Sequence, residues 1–147
     1  MSLKTVLSAA LFLLLAGCSE INLDIADGES RPLSHYSGQW LLINYWAIWC
    51  KPCIEEIPEL NKLADQGGMA VLGYNFDRKQ GDELAAQAEQ LGITFDLLAR
   101  DPAPLFDQPA PPALPATMVI DPEGRFRQWL MGPQTMESIK TRIAEYP

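Results

Sequence analysis

The chain has 147 residues, of which 48% are hydrophobic and 20% are charged, and its formal net charge is -8. This is the composition of one globular domain that can bury a sizeable core. The acidic balance argues against a nucleic-acid-binding protein and against a protein held to membranes by basic charge, because both need clustered Lys and Arg.

The N-terminal segment, residues 1–17, predicts an export signal, because the apolar run 6–16 is too short to span a bilayer. This run ends in Leu15-Ala16-Gly17-Cys18, which resembles the lipobox of bacterial lipoproteins at all four positions. The resemblance implies that Cys18 becomes the first mature residue and carries a lipid anchor. Ser19 follows it, which sorting rules of some Gram-negative bacteria associate with the outer membrane. The alternative is an ordinary signal peptide followed by a coincidental cysteine.

Residues 18–36 predict a lipid-anchored segment with a short β-ribbon, ahead of a core domain over residues 37–147. Apolar and polar residues alternate before Asp27-Gly28, a dipeptide typical of hairpin turns. The apolar run from Trp40 to Ala47 then predicts a central strand that is covered on both faces.

A helix is predicted to begin at Cys50, with Pro52 in its first turn and Gly67-Gly68 at its end. A strand is predicted at 69–76, followed by a helix at 82–91 with Asp82 near its cap and Gly92 as its stop. An extended segment at 93–98 then leads to an irregular, proline-rich loop at 101–115. The last predicted elements are a strand at 117–120, a turn at 121–124, a hairpin strand at 125–130 and a closing helix at 135–146. Alternating strands and helices that end in a hairpin predict an α/β sandwich with a mixed sheet.

Cys50 and Cys53 form a CxxC pair, which could be a structural disulfide, a metal site or a reactive dithiol. A disulfide that closes so small a loop constrains the unfolded chain very little. As soft ligands for Cu(I), the two thiolates would need further ligands, and Met118 is the only plausible helper, since His35 is expected at the surface.

A reactive dithiol needs a thiolate and a second thiol that resolves the mixed disulfide. The helix N-terminus favours the thiolate at Cys50, and Cys53, one turn later, is expected to be the more buried, resolving thiol. Lys51 adds a positive charge that makes the pair more oxidising, and the acidic residues that follow partly oppose it.

The sequence Trp49-Cys50-Lys51-Pro52-Cys53, placed after a buried strand, resembles the W-C-x-P-C active site of thioredoxins. Most of the mature chain is similar to the exported TlpA/ResA-like branch. The matching motifs are Asp27-Gly28, Gly38, the strand 40–46, W-C-K-P-C followed by Glu56-x-Pro58, Asn75-Phe76-Asp77, Leu91-Gly92-Ile93, Leu114-Pro115-Ala116-Thr117 and Ile120-Asp121-Pro122-Glu123-Gly124-Arg125. The resemblance implies a thioredoxin-like fold, with a mixed central sheet flanked by helices, an N-terminal β-ribbon and an inserted helix.

The resemblance also implies roles for individual residues. Pro115 matches a cis proline that faces the dithiol and leaves the backbone of Leu114 free to pair with a substrate chain. Glu56 matches an acid that handles protons at the buried cysteine, and Trp49 limits access to the site. The predicted catalytic residues are thus Cys50, Cys53 and Glu56, and the predicted substrate-binding residues are Trp49, Lys51, Pro52, Leu114 and Pro115. The alternatives are an ordinary loop proline at 115, a helix-dipole or surface acid at 56 and a core aromatic at 49.

Three features depart from the pattern. Asn44 stands where cytoplasmic thioredoxins have a buried Asp, so acid–base chemistry would fall to Glu56, water or a partner. The segment 101–112 is rich in proline where the family usually has a helix, and Ala116 replaces a commoner Thr. Arg125 and Arg127 are expected to be simply solvated.

The sequence therefore predicts a thiol–disulfide oxidoreductase, in which Cys50 attacks and Cys53 resolves, with no cofactor beyond its own disulfide and no metal. Family resemblance favours reduction of disulfides in extracytoplasmic proteins, such as apocytochrome c or other exported thiol proteins, with electrons from a membrane thiol donor. We expect a lipid-anchored monomer on the periplasmic side of a membrane. A disulfide oxidase and a Cu(I)-binding chaperone are the alternatives.

Overall fold

The computed structural model describes residues 20–147, so the predicted signal segment and Cys18 lie outside the described residues. The strands are β1 (Asn22–Asp24), β2 (Ser30–Pro32), β3 (Trp40–Trp46), β4 (Met69–Asn75), β5 (Asp96–Leu98), β6 (Ala116–Ile120) and β7 (Phe126–Met131). The helices are α1 (Lys51–Gln66), α2 (Gly81–Leu91) and α3 (Met136–Ile143). The predicted helix near Asp82 begins at Gly81 instead, and Asp82 lies in its first turn.

The main sheet has five strands in the order β5-β4-β3-β6-β7. β3 pairs in parallel with β4 and antiparallel with β6, so the sheet is mixed, as predicted. Every residue of β3 after Trp40 is buried, which explains why a strand apolar on both faces occupies the centre.

The two faces of this sheet are covered differently. Leu42 and its neighbours face α1 and α3, where Leu60 and Ile139 complete an apolar cluster. On the opposite face, Tyr45 packs in a cluster that includes Phe106 of the proline-rich segment and residues of the β-ribbon. The site after β3 therefore lies between a helical layer and a layer of ribbon and loop.

The β-ribbon forms as predicted, with β1 and β2 antiparallel around the Asp27-Gly28 turn. A bridge between Ile25 and Leu98 attaches the ribbon to the β5 edge of the sheet. The proline-rich loop is irregular over most of its length, but one 3₁₀ turn, Ala103–Phe106, forms inside it. This turn holds the only buried residues between Pro102 and Pro111, and it anchors the loop to the sheet.

The prediction that Arg125 and Arg127 are simply solvated is wrong. Their guanidinium nitrogens lie 2.8 Å and 3.4 Å from the buried carboxylate of Asp121, and Arg127 lies 4.5 Å from the ring centre of Tyr146. Burial raises the pKa of Asp121, but hydrogen bonds from Arg125 outweigh it and keep that pKa below its usual value. Because β6 runs antiparallel to β3, this ion-pair group lies at the opposite end of the sheet from Cys50.

Candidate active site

The dithiol is positioned by the junction between β3 and α1. Cys50 is the N-cap of α1, and its Sγ accepts a hydrogen bond from the backbone N–H of Cys53 at 3.2 Å. The two cysteines form a disulfide with an S–S distance of 2.06 Å. The Cys50 sulfur thus lies where unpaired N–H groups and the helix dipole favour a negative charge.

The cysteines differ in their contact with solvent. Cys50 is 4% exposed and Cys53 is completely buried, in the order that the sequence predicts. Trp46 and Leu84 pack with both cysteines in a small apolar cluster. An incoming sulfur can therefore reach Cys50 before it reaches Cys53, which suits Cys50 as the attacking thiol.

The predicted residues around Cys50 lie at the surface. Trp49 is 62% exposed, which excludes a core aromatic, and its indole N–H donates to Asp77 at 2.9 Å. Lys51 is exposed, and its Nζ lies 4.0 Å from a carboxylate oxygen of Glu55. Such an exposed pair is weak, so the charge of Lys51 stays available to a substrate. Pro52 occupies the first turn of α1, as predicted.

The predicted substrate-binding segment before β6 lies beside the cysteines. The Leu114–Pro115 peptide bond is cis, as the family resemblance implies, and the side chain of Leu114 packs against the cluster that contains both cysteines. The carbonyl of Pro115 accepts a hydrogen bond from Gly132 at 2.9 Å. The structure thus places Leu114 against the cluster that contains the dithiol, with Pro115 next to it in the chain, and the pairing of Leu114 with a substrate stays a prediction.

Glu56 is a buried acid one helical turn beyond Cys53. It is only 2% exposed, which excludes the alternative of a surface acid. One carboxylate oxygen, Oε1, accepts a hydrogen bond from the side-chain amide of Asn44 at 2.6 Å, and Oε2 accepts one from the backbone N–H of Gln134 at 2.8 Å. Burial raises the pKa of Glu56 to about 7, although both hydrogen bonds lower it. A carboxyl with this pKa can take up and release protons near neutral pH.

Sequence reasoning missed two partners of this acid. Thr117, on the strand next to β3, accepts from the Asn44 amide at 3.2 Å, and its position as a polar residue in an otherwise apolar strand is a signal that could have identified it. Gln134 contributes its backbone N–H, for which no pattern of side chains gives a signal. The polar group behind the dithiol therefore combines β3, α1, β6 and the segment before α3.

Exposed apolar side chains lie at the end of the sheet that carries the disulfide. Phe76 follows β4 and donates its N–H to Trp46, and Met131 pairs with Ala116 next to Pro115. Four of the five large apolar side chains exposed in residues 20–147 lie at this end of the sheet: Trp49, Ile54, Phe76 and Met131. We call these four the apolar rim.

The structure does not support Met118 as a helper for a metal at the cysteines. Met118 is fully buried in the cluster on the ribbon face of the sheet, whereas the cysteines belong to a different cluster. Within the described part of the chain, no group of three His, Cys, Asp or Glu side chains is arranged to hold a metal ion. His35 is exposed, as predicted. No helix in residues 20–147 is both long and apolar enough to cross a bilayer.

Residues 17–128 match the model of the AhpC/TSA family. The chain belongs to this family. Among curated relatives, the thiol–disulfide oxidoreductase ResA of Geobacillus kaustophilus is 30% identical over 128 residues, which make up 79% of this chain and 68% of that protein. The protein is therefore an AhpC/TSA-family thiol–disulfide oxidoreductase of the ResA type, and it contains the Cys50–Cys53 disulfide.

Solved structures of similar fold confirm the predicted thioredoxin-like architecture of this AhpC/TSA member. The crystal structure of StoA from Bacillus subtilis matches with a TM-score of 0.64 at 19% identity, over 82% of this chain and 93% of that chain. The exposed lipoprotein thioredoxin Etrx1 of Streptococcus pneumoniae matches with a TM-score of 0.65 at 20% identity, over 86% of this chain and 99% of that chain.

Proposed function

We propose that this oxidoreductase is an exported, lipid-anchored reductase of disulfides in extracytoplasmic proteins. The position of Glu56 supports reduction rather than oxidation of substrate disulfides. Glu56 is buried one helical turn beyond Cys53, and among the described residues no cation is bonded to it. A carboxylate there opposes a second negative charge and so disfavours thiolates at the cysteines. A reduced form that is less stable makes the disulfide a weaker oxidant and the dithiol a stronger reductant.

The reaction begins when the Cys50 thiolate attacks a substrate disulfide. A bond forms between the Cys50 sulfur and one substrate sulfur, the substrate S–S bond breaks, and the other substrate sulfur leaves as a thiolate that takes a proton. Cys53 then gives its proton to the Glu56 carboxylate and attacks Cys50. The bond from Cys50 to the substrate breaks, the Cys50–Cys53 disulfide forms, and the second substrate sulfur leaves as a thiol after protonation. Two electrons pass from the protein to the substrate.

The apolar rim supports a protein as the substrate. Exposed apolar side chains around a reactive sulfur can bind the apolar residues near a disulfide of an incompletely folded chain. The formal net charge of -8 favours partners with a basic surface, because the encounter is then accelerated electrostatically. We propose that the protein acts as a monomer, with a membrane thiol donor that returns it to the dithiol form.

A measurement of the reduction potential tests the direction. Equilibration with glutathione or dithiothreitol buffers should place the Cys50–Cys53 couple nearer to the potential of strong reductants, about -270 mV, than to that of strong oxidants, about -120 mV. Lys51→Gln is the matched variant, because it removes an exposed charge that favours oxidation and leaves the N-cap of the helix intact, so its couple should be slightly more reducing than that of the parent. A couple near the oxidant value would show that the protein is a disulfide oxidase and overturn the proposed direction.

Fractionation of cells tests the location. The full chain, expressed in a Gram-negative host, should appear in the membrane fraction, and Cys18→Ser should abolish both the labelling by palmitate and the membrane association. Ser19→Asp is the control for sorting, and it should move the protein from the outer to the inner membrane. Membrane association that persists without Cys18 would contradict the lipid anchor while leaving the oxidoreductase activity intact.

A further inference from the structure

Neutral groups surround the carboxyl of Glu56. The Asn44 amide bonds Oε1 at 2.6 Å and the Gln134 N–H bonds Oε2 at 2.8 Å. β3 and β6 face the carboxyl with Asn44 and Thr117, neither of which titrates. Two helices nearby carry charged side chains, none of which is hydrogen-bonded to Glu56. They are Lys51, Glu55, Glu59, Lys62 and Asp65 on α1 and Glu137, Lys140 and Arg142 on α3. The proton of Glu56 is therefore controlled by neutral hydrogen-bond partners and, after reduction, by Cys53.

The two ends of the Asn44 amide are used unequally. Its Nδ2 donates both to Glu56 and to the hydroxyl of Thr117, whereas its Oδ1 is buried and has no hydrogen-bond partner among the described residues. A buried acceptor without a partner is unfavourable. A half-turn about the bond that carries the amide exchanges the two ends, and it would present Oδ1 to Glu56 in place of Nδ2.

The hydrogen-bond partners of Glu56 differ in whether they can change from donor to acceptor. The backbone N–H of Gln134 can only donate, so Oε2 must remain an acceptor. The amide of Asn44 can donate through Nδ2 or accept through Oδ1, and the hydroxyl of Thr117 can accept or donate as well. A proton that arrives at Glu56 is thus directed to Oε1, the oxygen that faces Asn44.

We propose that Asn44 is a positioning residue that reverses its hydrogen bond to Glu56 when Glu56 gains or loses a proton. With the carboxylate, Nδ2 donates to Oε1 and to Thr117. With the carboxylic acid, the amide is turned, and Oδ1 accepts from the O–H on Oε1 and from the Thr117 hydroxyl. Asn44 is therefore hydrogen-bonded to Glu56 in both protonation states, as donor to the carboxylate and as acceptor from the acid, whereas an ionised carboxylate at position 44 could only accept.

This reversal has a place in the exchange reaction, and that part of the inference rests on the proposed function. Cys53 must lose its proton inside an apolar cluster before it can attack Cys50. Glu56 takes this proton, and Asn44 turns to bind the new O–H. The reverse turn of Asn44 follows when Glu56 releases the proton after the substrate thiol has left.

Nuclear magnetic resonance on the oxidised protein tests the reversal without a substrate. The carboxyl carbon of Glu56 and the side-chain amide of Asn44 would be followed from about pH 4.5 to pH 9, a window that brackets the pKa of Glu56 at about 7. We expect the Asn44 nitrogen and its two protons to shift with the same midpoint as Glu56. Amide resonances that stay constant through the titration of Glu56 would overturn the proposal.

The variant Asn44→Leu removes the side-chain amide that is hydrogen-bonded to Glu56. The substitution removes a hydrogen bond from both forms of Glu56, but the bond to the carboxylate is the stronger one, so the midpoint of Glu56 should still rise, by about 1 pH unit. Tyr45→Phe is the matched control, because it removes the hydroxyl of the neighbouring residue of β3, which donates to Asp101 and accepts from the N–H of Ala103. This control should leave the midpoint of Glu56 unchanged. An equal midpoint in Asn44→Leu and the parent would overturn the role of Asn44.

The reduced protein gives a second readout. The pH at which resolution of the mixed disulfide is half-maximal should rise in Asn44→Leu by the same amount as the Glu56 midpoint, and it should not move in Tyr45→Phe. A changed Glu56 midpoint with an unchanged pH profile would overturn only the link to the reaction. Failure of the proposed function, by contrast, would appear as a reduction potential in the oxidant range.

Discussion

Replacing Cys50 by serine is expected to lower the rate of disulfide exchange by a factor on the order of a thousand or more, because it removes the nucleophile itself. The Cys50 sulfur caps α1 and accepts the N–H of Cys53, so the helix N-terminus favours its thiolate. A serine hydroxyl at the same cap preserves the helix but does not ionise near neutral pH. Reduction of insulin, or of a disulfide-linked fluorescent peptide, measures the loss.

Cys53→Ser should have a different effect, which separates the two roles. The Cys50 thiolate still attacks, but no second thiol releases the substrate, and the mixed disulfide accumulates. Both variants are best made with Cys18 replaced by alanine, so that residues 50 and 53 are the only reactive positions. Mass spectrometry under non-reducing conditions should find substrate bound to Cys53→Ser and none bound to Cys50→Ser. Equal trapping in the two variants would contradict the assignment of attacker and resolver.

Glu56→Gln is expected to slow the resolving step by about a hundred-fold, in the range usual for loss of a general acid or base. The parent should resolve the mixed disulfide faster as pH rises through about 7, the pKa of Glu56, because only the carboxylate can accept the proton of Cys53. The variant should lose this rise. Stopped-flow measurement of the release of a labelled thiol between pH 5 and pH 9 provides the profile.

The same substitution should change how stability depends on pH. Glu56 has its pKa raised from 4.5 to about 7, chiefly by burial, so the native protein binds a proton that the unfolded chain has released. Its contribution to stability is complete below about pH 4.5 and is lost as pH rises through 7. At about 1.4 kcal/mol per pH unit, a pKa rise of this size corresponds to a loss of at most about 4 kcal/mol. Urea unfolding should show this decline in the parent and not in Glu56→Gln.

Glu59→Gln is the control for the pH profile of the resolving step and for the pH dependence of stability. It lies one turn further along α1, it pairs with Lys62 at 2.8 Å, and its carboxylate also accepts the N–H of Met136 at 3.2 Å. The hydrogen bond from Lys62 keeps the pKa of Glu59 below its usual value. Substitution there should leave the rise in resolution rate near pH 7 intact. A flat profile in Glu59→Gln as well would show that the effect does not belong to the buried acid.

The sequence by itself determined the features that depend on neighbouring residues. Trp40 to Trp46 is apolar except for Asn44 and shows no alternation, so it is expected to be stable as a strand with both faces covered. Cys50 and Pro52 mark the start of α1. Gly92 adopts the left-handed backbone conformation that ends α2. The W-C-x-P-C motif identified the dithiol, and the wider resemblance placed the chain in its family.

The tertiary structure alone decided what surrounds the dithiol. An acid at position 56 could equally have been a solvated side chain on α1, and it is buried because β3, β6 and the segment before α3 close over it. Its partners Asn44 and Gln134 are 12 and 78 residues away in the chain. The Arg125–Asp121 pair was missed for a related reason, because the strand that carries an arginine does not reveal how deeply the carboxylate beside it is buried. A carboxyl pKa depends on this enclosure, and local sequence patterns describe the path of the backbone but not which distant groups desolvate a side chain.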